Sequence, residues 1–308
     1  MYAMKTLNIN WPSPGAYILA VSGGADSMVL LDIFATAADR GYTLTVAHFD
    51  HGLRFESSAD AEFVAAAASR YSLPFEQYAA GLGRASEAAA RAVRHDWLEQ
   101  TRLRLGAATV LTAHHQDDRL ETSLLNLARG SGRLGLAPMA VSSTILRPLL
   151  ALTRADLRRY AGAHQIAWRE DPTNADISNP RNFLRHRLLP YAEPKWRASY
   201  LENLDQLAIL NTKVDQSISV ILESAYVSLD TYSFAVKFVR GLQAGEFEEL
   251  LLAACRRLRP GIALDRRLIT EAATFAKTGV PRKYRPLRQG IVINIEPTHI
   301  NLTTNSPR

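Results

Sequence analysis

The sequence predicts an α/β protein whose first and larger domain has a parallel β-sheet with helices on both faces. Short apolar runs that predict buried strands occupy residues 16–21, 44–49 and 107–113. Helical patterns cover residues 26–38, 57–71, 86–105 and 117–128. Such alternation is typical of parallel sheets, in which ligands bind beyond the carboxyl ends of the strands. A polar motif follows each strand, so we expect a ligand site at this edge.

The rest of the chain predicts further helices and then a smaller α+β domain. A helix is expected from Thr153, as its N-cap, to Ala163, because Asp156 falls in the first turn. The other expected elements are a turn at 171–174, basic and longer helices at 181–189 and 201–222, and β-like runs from residue 228 around a helix at 246–257. We place the boundary at residue 212, which gives domains of residues 1–212 and 213–308.

Composition favours a folded protein that is not embedded in a membrane. Of the 308 residues, 47% are hydrophobic and 21% are charged, and no apolar run approaches membrane-spanning length. Residues 1–14 lack the pattern of a signal peptide, so a cytoplasmic location is expected. Cys255 is the single cysteine of the sequence, which excludes an intrachain disulfide, a cysteine-rich zinc site and a cysteine-held iron–sulfur cluster.

Positive charge is concentrated in the second domain. The net charge of the chain is +6, and the segment 256–288 alone has 10 Lys and Arg residues against 2 Asp and Glu residues. A basic block of this kind indicates a polyanionic partner such as nucleic acid. A solvated surface is the alternative, since that is the commoner role of Lys and Arg.

A glycine-rich turn separates the first predicted strand from the first predicted helix. It reads Ser22, Gly23, Gly24, Ala25, Asp26 and Ser27. Backbone N–H groups and the positive end of the helix dipole would face an anion there, and glycine lets the backbone approach it closely. The run lacks the lysine of the Walker motif. It resembles instead the PP-loop of the ATP pyrophosphatases, in which this loop holds the β,γ-pyrophosphate of ATP.

The densest group of ionisable residues follows the third predicted strand. It comprises His114, His115, Asp117, Asp118 and Glu121. On a helix that begins near Asp117, this residue and Glu121 share one ridge, and Asp118 lies three residues before Glu121. Close carboxylates repel each other unless a cation lies among them. Mg²⁺ on a nucleotide or a substrate ammonium group could supply it; an acidic N-capping turn with incidental histidines is the alternative.

A histidine-rich run from His48 to Arg54 ends the second predicted strand. It does not match the HxHxDH signature of zinc hydrolases, because residue 46 is valine. Its position beside the phosphate loop favours a nucleotide site to which His48, His51 and Arg54 contribute. Structural histidines at a strand end are the alternative.

Residues 130–135 match GxGxxG, but they follow a helix rather than a strand, so a dinucleotide fingerprint is not expected. We prefer a mobile substrate loop with Arg129 and Arg133; an ordinary helix end at Gly130 is the alternative. Other arginines whose guanidinium groups suit phosphate oxygens are Arg91, Arg94, Arg147, Arg154, Arg181, Arg185 and Arg187.

Together these motifs resemble the tRNA(Ile)-lysidine synthases, a branch of the PP-loop ATP pyrophosphatases. The matching runs are SGGADS (22–27), HFDHGLR (48–54), AARAVR (89–94), HHQDDRLET (114–122), RGSGRLGLAPM (129–139), RPLL (147–150), WREDPTN (168–174) and RNFLRHRLLP (181–190). Their order and spacing make the resemblance specific. His95 stands where the family usually has tyrosine, and the chain resembles the shorter members, which have a single C-terminal domain.

The resemblance implies ATP, Mg²⁺, free L-lysine and a tRNA(Ile) with a CAU anticodon as ligands. ATP would adenylate the C2 carbonyl oxygen of the wobble cytidine, and the lysine ε-amine would then displace AMP to form lysidine. The resemblance also implies that residues 22–27 hold the pyrophosphate and that Asp26, with Asp117 as a second candidate, acts with Mg²⁺.

It further implies a proton acceptor among His115, Asp117, Asp118 and Glu121, with Asp117 as the first candidate. Arg181 and Arg185 would hold the activated intermediate or the tRNA backbone. The nucleotide would contact His48, His51, Arg54 and His114, and the tRNA would contact Arg91, Arg94, Arg129, Arg133, Arg147, Arg154 and Arg187. The small basic domain would bind tRNA, and a homodimer is compatible with the family.

Three other functions stay open at this point. A PP-loop tRNA thiolase uses catalytic cysteines or a cysteine-held cluster, and the single Cys255 argues against it. A PP-loop amide synthetase with a small-molecule substrate is disfavoured by the basic block at 256–288. A non-catalytic tRNA-binding protein is disfavoured by the intact phosphate loop and the acidic cluster.

Overall fold

The computed structural model describes residues 7–50, 57–81, 87–139, 144–170 and 172–304. The chain divides into two compact units, residues 1–208 and 209–308. This division and the expected boundary at residue 212 both fall within one helix, Pro194–Ala225. The assignment of a separate function to each domain stays a prediction. Within the described ranges, no helix combines the length and the apolar character needed to cross a membrane.

A parallel sheet forms the centre of the first unit. Its described strands are β1 (Gly15–Ala20), β2 (Tyr42–Asp50), β3 (Phe75–Ala79), β4 (Thr109–Leu111) and β5 (Ile145–Leu146). They lie in the order β3-β2-β1-β4-β5, and every neighbouring pair is parallel. The predicted parallel sheet is therefore confirmed, and its two edge strands, β3 and β5, add to the three that were expected.

Helices cover both faces of this sheet. They are α1 (Ala25–Ala35), α2 (Ser57–Arg70), α3 (Glu87–Arg104), α4 (Gln116–Ala128), α5 (Arg133–Leu136), α6 (Arg154–Ala163), α7 (Pro180–Phe183) and the first part of α8 (Pro194–Ala225). Alternate residues of β1 enter different cores, since Leu19 packs with Leu30 of α1 and Leu157 of α6, whereas Ile18 packs with Leu98 of α3. The two-residue period of a strand thus gives one core on each face.

The second unit contains an antiparallel sheet in the order β6-β7-β10-β9-β8. Its described elements are β6 (Tyr226–Ser228), β7 (Thr231–Ala235), α9 (Val236–Gly241), α10 (Ala244–Leu258), α11 (Arg266–Thr278), β8 (Lys283–Pro286), β9 (Val292–Ile295) and β10 (His299–Thr303). Phe247, Cys255 and Ile293 are among its fully buried core residues. The expected α+β class is confirmed for this part of the chain.

Candidate functional site

The loop between β1 and α1 has the geometry of an anion cradle. Gly23 has a φ of +88°, a conformation that L side chains rarely adopt, and Gly24 is the N-cap of α1. The Oγ of Ser27 accepts a hydrogen bond from the N–H of Ser22 at 3.1 Å and donates one to the carbonyl of Gly24 at 2.9 Å. Because the first N–H groups of a helix lack acceptors in a preceding turn, those of α1 are available to an anion.

Three contacts from other motifs hold this loop in place. The N–H of Arg169 donates to the carbonyl of Gly23 at 3.0 Å, and the N–H of Val21 donates to the carbonyl of Ala47 at 2.9 Å. The buried ring of His48 donates from Nδ1 to the carbonyl of Val21 at 2.9 Å. His48 thus contacts the backbone of the loop through Nδ1, while its Nε2 has no hydrogen-bond partner. His51 and Arg54 lie outside the described residues.

A cavity of about 640 Å³ lies along the carboxyl edge of the sheet. This volume is within the usual range of small-molecule sites. Residues from several motifs line it together, namely Ser22, Gly24, Ala25, Asp26, Ser27, His48, Arg94, His114, Asp118, Arg154, Arg169 and Arg185. The expected convergence of motifs at the strand ends is therefore seen among these residues.

His115 is fully buried between two carboxylates of this site. Its Nε2 lies 3.5 Å from Oδ2 of Asp26 and 3.5 Å from Oδ2 of Asp118. Burial lowers the pKa of His115, but the contacts with Asp26 and Asp118 outweigh burial and raise this pKa above its ordinary value. Burial likewise raises the pKa of Asp26, and His115 and Arg154 outweigh that effect and lower it. The imidazolium and carboxylate forms therefore stabilise each other.

Glu121 is a buried carboxylate held by two guanidinium groups. Arg185 donates to both of its oxygens, at 2.7 and 2.8 Å, and Nε of Arg181 donates to Oε2 at 2.8 Å. Burial raises the pKa of Glu121, but the two arginines, with Arg185 the stronger, lower it below the ordinary value. Glu121 thus fixes the position of both arginines, and Arg185 extends to the cavity wall.

Asp117 has a different set of partners. The backbone N–H of Arg154 donates to its Oδ2 at 2.7 Å, and the guanidinium of Arg197 donates to its Oδ1. Arg197 belongs to α8, far along the chain, and the sequence did not reveal it because an arginine on a long helix carries no distinguishing pattern. Both carboxylate oxygens of Asp117 are therefore engaged within the protein.

The surroundings of His114 are basic. Burial and the guanidinium groups of Arg147, Arg94 and Arg91 lower the pKa of His114 to about 3. Burial and the same arginines also lower the pKa of His95. Both imidazoles are therefore neutral at neutral pH, and the positive charge around them comes from the guanidinium groups.

The other predicted arginines lie elsewhere. Arg129 is the C-cap of α4 and Arg133 belongs to α5, and neither is among the residues that line the cavity. Arg187 is exposed and is likewise absent from its lining. The glycine-rich loop is bonded to α4, since Nδ2 of Asn126 donates to the carbonyl of Gly135 at 2.7 Å.

The side chain of Asp26 can offer a carboxylate oxygen to a divalent cation. Oδ1 of Asp26 is buried without a hydrogen-bond partner, so it can serve as one oxygen ligand of an Mg²⁺ ion whose other ligands are water and phosphate oxygens. Asp117 fits this role poorly, because both of its oxygens are engaged. No group of three or more His, Cys, Asp or Glu side chains that could hold a metal occurs among the residues that the structure describes.

Comparison with known proteins shows the family to which the chain belongs. Residues 3–192, more than half of the chain, match the family model of the PP-loop domain. The chain belongs to the PP-loop family, in its tRNA(Ile)-lysidine synthase branch. The branch is shown by a tRNA(Ile)-lysidine synthase from Chlorobaculum tepidum that is 34% identical over 257 residues, covering 78% of this chain and 77% of that protein. The matched family model describes an ATP-binding domain.

Other relatives in this PP-loop branch are longer. The tRNA(Ile)-lysidine synthase of Thermus thermophilus is 43% identical over 190 residues, covering 59% of this chain and 36% of that protein. The chain thus spans well under two thirds of that relative's length. Among solved structures, the U34-tRNA thiolase NcsA of Methanococcus maripaludis superposes with a TM-score of 0.52 at 11% identity, over 67% of this chain and 75% of the other. This similarity concerns the fold alone.

Proposed function

We propose that this chain joins L-lysine to C2 of the wobble cytidine of a tRNA(Ile) with a CAU anticodon, converting ATP to AMP and pyrophosphate. The observation that carries the proposal is the cavity in which the PP-loop, the carboxylates paired with His115 and several guanidinium groups converge. The relative from Chlorobaculum tepidum, which is similar over most of both chains, supports the same reaction.

In the first step the C2 oxygen of the cytidine attacks the α-phosphate of ATP. The bond between the α-phosphate and the β-phosphate breaks, and pyrophosphate leaves. The protein has mainly to position the groups and to neutralise negative charge. The N-terminus of α1 and the hydroxyls of Ser22 and Ser27 face the departing pyrophosphate, while Arg154 and Arg185 line the same cavity. An Mg²⁺ ion held by Asp26 would supply further neutralisation of phosphate charge.

In the second step the lysine ε-amine attacks C2 and AMP leaves. A second cavity of about 700 Å³ adjoins the first, because Arg154 and Arg185 line both. Apolar residues such as Leu189 and Leu201 line this second cavity, together with Asp117 and Arg197. We assign lysine to it, with the methylene chain against the apolar wall and the α-carboxylate toward arginine.

The amine must lose a proton before or during its attack. Free lysine has a pKa of about 10.4, so neutralising it at pH 7 costs about 4.6 kcal/mol. Two arginines neutralise Glu121 at 2.7 to 2.8 Å, and Arg197 neutralises Asp117. The acceptor that we propose is Asp118, which lies on the wall of the first cavity at longer distances, 3.5 and 3.8 Å, from the same two arginines. The backbone N–H of His115 donates to the Asp118 carboxylate at 3.1 Å and positions it.

The competing PP-loop thiolase chemistry has no suitable group in the described structure. Cys255 is fully buried in the core of the second unit, and burial raises the pKa of its thiol to about 12. A thiol of this kind is unreactive, since the thiolate is the nucleophile. Binding of tRNA by the second unit and formation of a homodimer stay predictions.

The decisive experiment is incorporation of labelled lysine by the purified chain with ATP and Mg²⁺. Two transcripts are compared, tRNA(Ile) with a CAU anticodon and tRNA(Met), and nucleoside mass spectrometry identifies the product. We expect ATP-dependent lysidine in the first transcript alone. Pyrophosphate release without lysine transfer would refute lysine as the nucleophile, and no turnover by folded protein would refute the enzymatic proposal.

The choice of proton acceptor is tested by two matched variants. Asp118→Asn is expected to lower the rate of lysine transfer about 100-fold or more, as removal of a general base does. Asp117→Asn is expected to raise the KM for lysine with a smaller effect on kcat. The reverse pattern would make Asp117 the acceptor.

A further inference from the structure

Three aromatic rings form a cluster beside the first cavity, in which each ring contacts the other two. Phe49, at the end of β2, stacks on Tyr78, at the end of β3, with ring centroids 5.5 Å apart and an interplanar angle of 25°. Trp97 of α3 stacks on Tyr78 at 5.8 Å and 29°. Phe49 is buried and lines the cavity, whereas Tyr78 is 40% exposed. The cluster therefore extends from the cavity wall to solvent.

The direction of α3 explains this arrangement. Phe49 and Tyr78 are register partners of two parallel strands, so their side chains emerge on the same face of the sheet. Arg104, near the end of α3, pairs with Glu76 on that face at 2.9 Å, and Trp97 reaches Tyr78. The helix thus runs antiparallel to β3.

As a consequence, the residues of α3 that precede Trp97 come to the carboxyl edge of the sheet. Arg94 lies one turn before Trp97 and lines the cavity, and Arg91 lies about one turn earlier. The pKa values of His95 and His114 are lowered in part by these arginines, which shows that their charge acts on this edge. Permanent positive charge and exposed aromatic surface therefore lie side by side.

Cationic groups beside stacked aromatic rings are the combination by which proteins hold single-stranded nucleic acid. Bases stack on the rings and the backbone follows the charge.

We infer that Tyr78 is a stacking platform for a nucleobase next to the target cytidine in the anticodon loop. Trp97 and Phe49 support the ring from beneath, and Arg94 faces the adjoining phosphates. This inference rests on the proposed function for the identity of the RNA. The platform fixes the neighbouring base and so directs the unpaired cytidine into the cavity, because an anticodon loop presents unstacked bases without melting a duplex.

The test measures binding of a labelled anticodon stem–loop RNA to the full chain by fluorescence anisotropy. Tyr78→Ala is expected to weaken binding roughly 5-fold to 150-fold, the range that loss of one stacked base gives. Tyr78→Phe, which keeps the ring, is expected to restore most of the affinity. Tyr191→Ala is the matched control, because Tyr191 is more exposed than Tyr78, at 82%. ATP affinity, measured separately, should be the same in all three variants.

A second set of RNAs identifies the contacted base. An abasic nucleotide is placed on either side of the wobble position, and each RNA is tested with the wild-type protein and with Tyr78→Ala. We expect the wild-type protein to bind one of the two abasic RNAs more weakly than the intact RNA. Tyr78→Ala should bind that abasic RNA and the intact RNA with the same affinity. The platform is refuted if the losses of affinity caused by the abasic nucleotide and by Tyr78→Ala add to each other. It is also refuted if Tyr78→Ala binds intact RNA like the wild type. A protein partner would then be the better candidate for this surface.

Lysidine formation by the wild-type chain is measured in parallel. Normal lysidine formation with no effect of Tyr78→Ala on RNA binding would overturn the platform and leave the proposed function intact. Absence of lysidine together with the expected binding pattern would overturn the proposed function and support the platform as a site for single-stranded RNA.

Discussion

The buried carboxylate of Glu121 offers the sharpest test of how the site is held together. Its side chain is 1% exposed and accepts three hydrogen bonds, two from Arg185 and one from Arg181. In Glu121→Gln one oxygen becomes an NH₂ group that faces guanidinium N–H donors. The negative charge is lost as well, so the two arginines keep their charge without this buried partner.

Removing one member of a buried ion pair costs about 3 to 5 kcal/mol. In a unit of this size each kcal/mol corresponds to about 2 to 4 °C in Tm, so Glu121→Gln should lower the Tm of the first unit by roughly 6 to 20 °C. The matched control is Glu76→Gln, because Glu76 pairs with Arg104 at 2.9 Å on the surface. A surface pair contributes about 0 to 1 kcal/mol, and the control should shift Tm by less than about 4 °C.

The pH dependence adds a second measurement. Because the folded protein lowers the pKa of Glu121, its stabilising effect is complete above the ordinary value of 4.5 and is lost as the pH falls through the lower folded-state pKa. Calorimetric scans of wild type and Glu121→Gln should therefore converge as the pH falls below about 4.5. Equal Tm shifts for Glu121→Gln and Glu76→Gln at pH 7 would refute a buried, stabilising ion pair.

Three further predictions concern other parts of the molecule. Gly23→Ala forces an L residue to a φ of +88°, so it should destabilise the fold by about 1 to 2 kcal/mol and raise the KM for ATP. The control is Gly130→Ala, at a φ of +68° with open space around it. It should cost the same stability and leave the KM for ATP unchanged. Asp32→Asn weakens the hydrogen bonds that Asp32 accepts from Tyr71 and Tyr160, at 2.6 and 2.7 Å. It should lower the free energy of unfolding of the first unit by about 2 kcal/mol in urea titrations. An unchanged free energy would mean that α1 is held by apolar contacts alone. Cys255 should react with a thiol reagent only in denaturant, and rapid labelling of native protein would contradict its burial.

The sequence predicted the central part of the first unit because central elements are buried on more than one side. Strands β1, β2 and β4 read as apolar runs for this reason. The edge strand β3 has mixed exposure and no apolar run, and β5 has two residues, so neither had a recognisable pattern. Helix α11 could have been found, since Ile269, Ala272, Ala273 and Ala276 follow a helical period, but the surrounding basic residues obscured it.

The motifs predicted which residues meet at the sheet edge, but they could not predict which charges pair. Glu121 is held by Arg181 and Arg185, which lie about 60 positions later in the chain, whereas Asp117 is held by Arg197 of α8. Every one of these pairings joins a common acid to a common base, so the residue types do not distinguish one pairing from another. Only the packing of α7 and α8 beside α4 decides them.

The pairing of charges has a consequence for the proposed reaction, whose substrates differ in sign. ATP and RNA are anions, and the positive charge of Arg91, Arg94 and Arg147 that acts on His114 does not change near neutral pH, because His114 itself is neutral. Lysine brings a cationic amine, which needs a carboxylate that no guanidinium group holds at close hydrogen-bond distance. Glu121 and Asp117 are closely engaged by arginines, whereas the other two carboxylates of the acidic cluster and the PP-loop, Asp26 and Asp118, line the first cavity. The proposed reaction therefore needs the amine to pass from the second cavity toward Asp118 in the first, where the activated cytidine must lie for the second step.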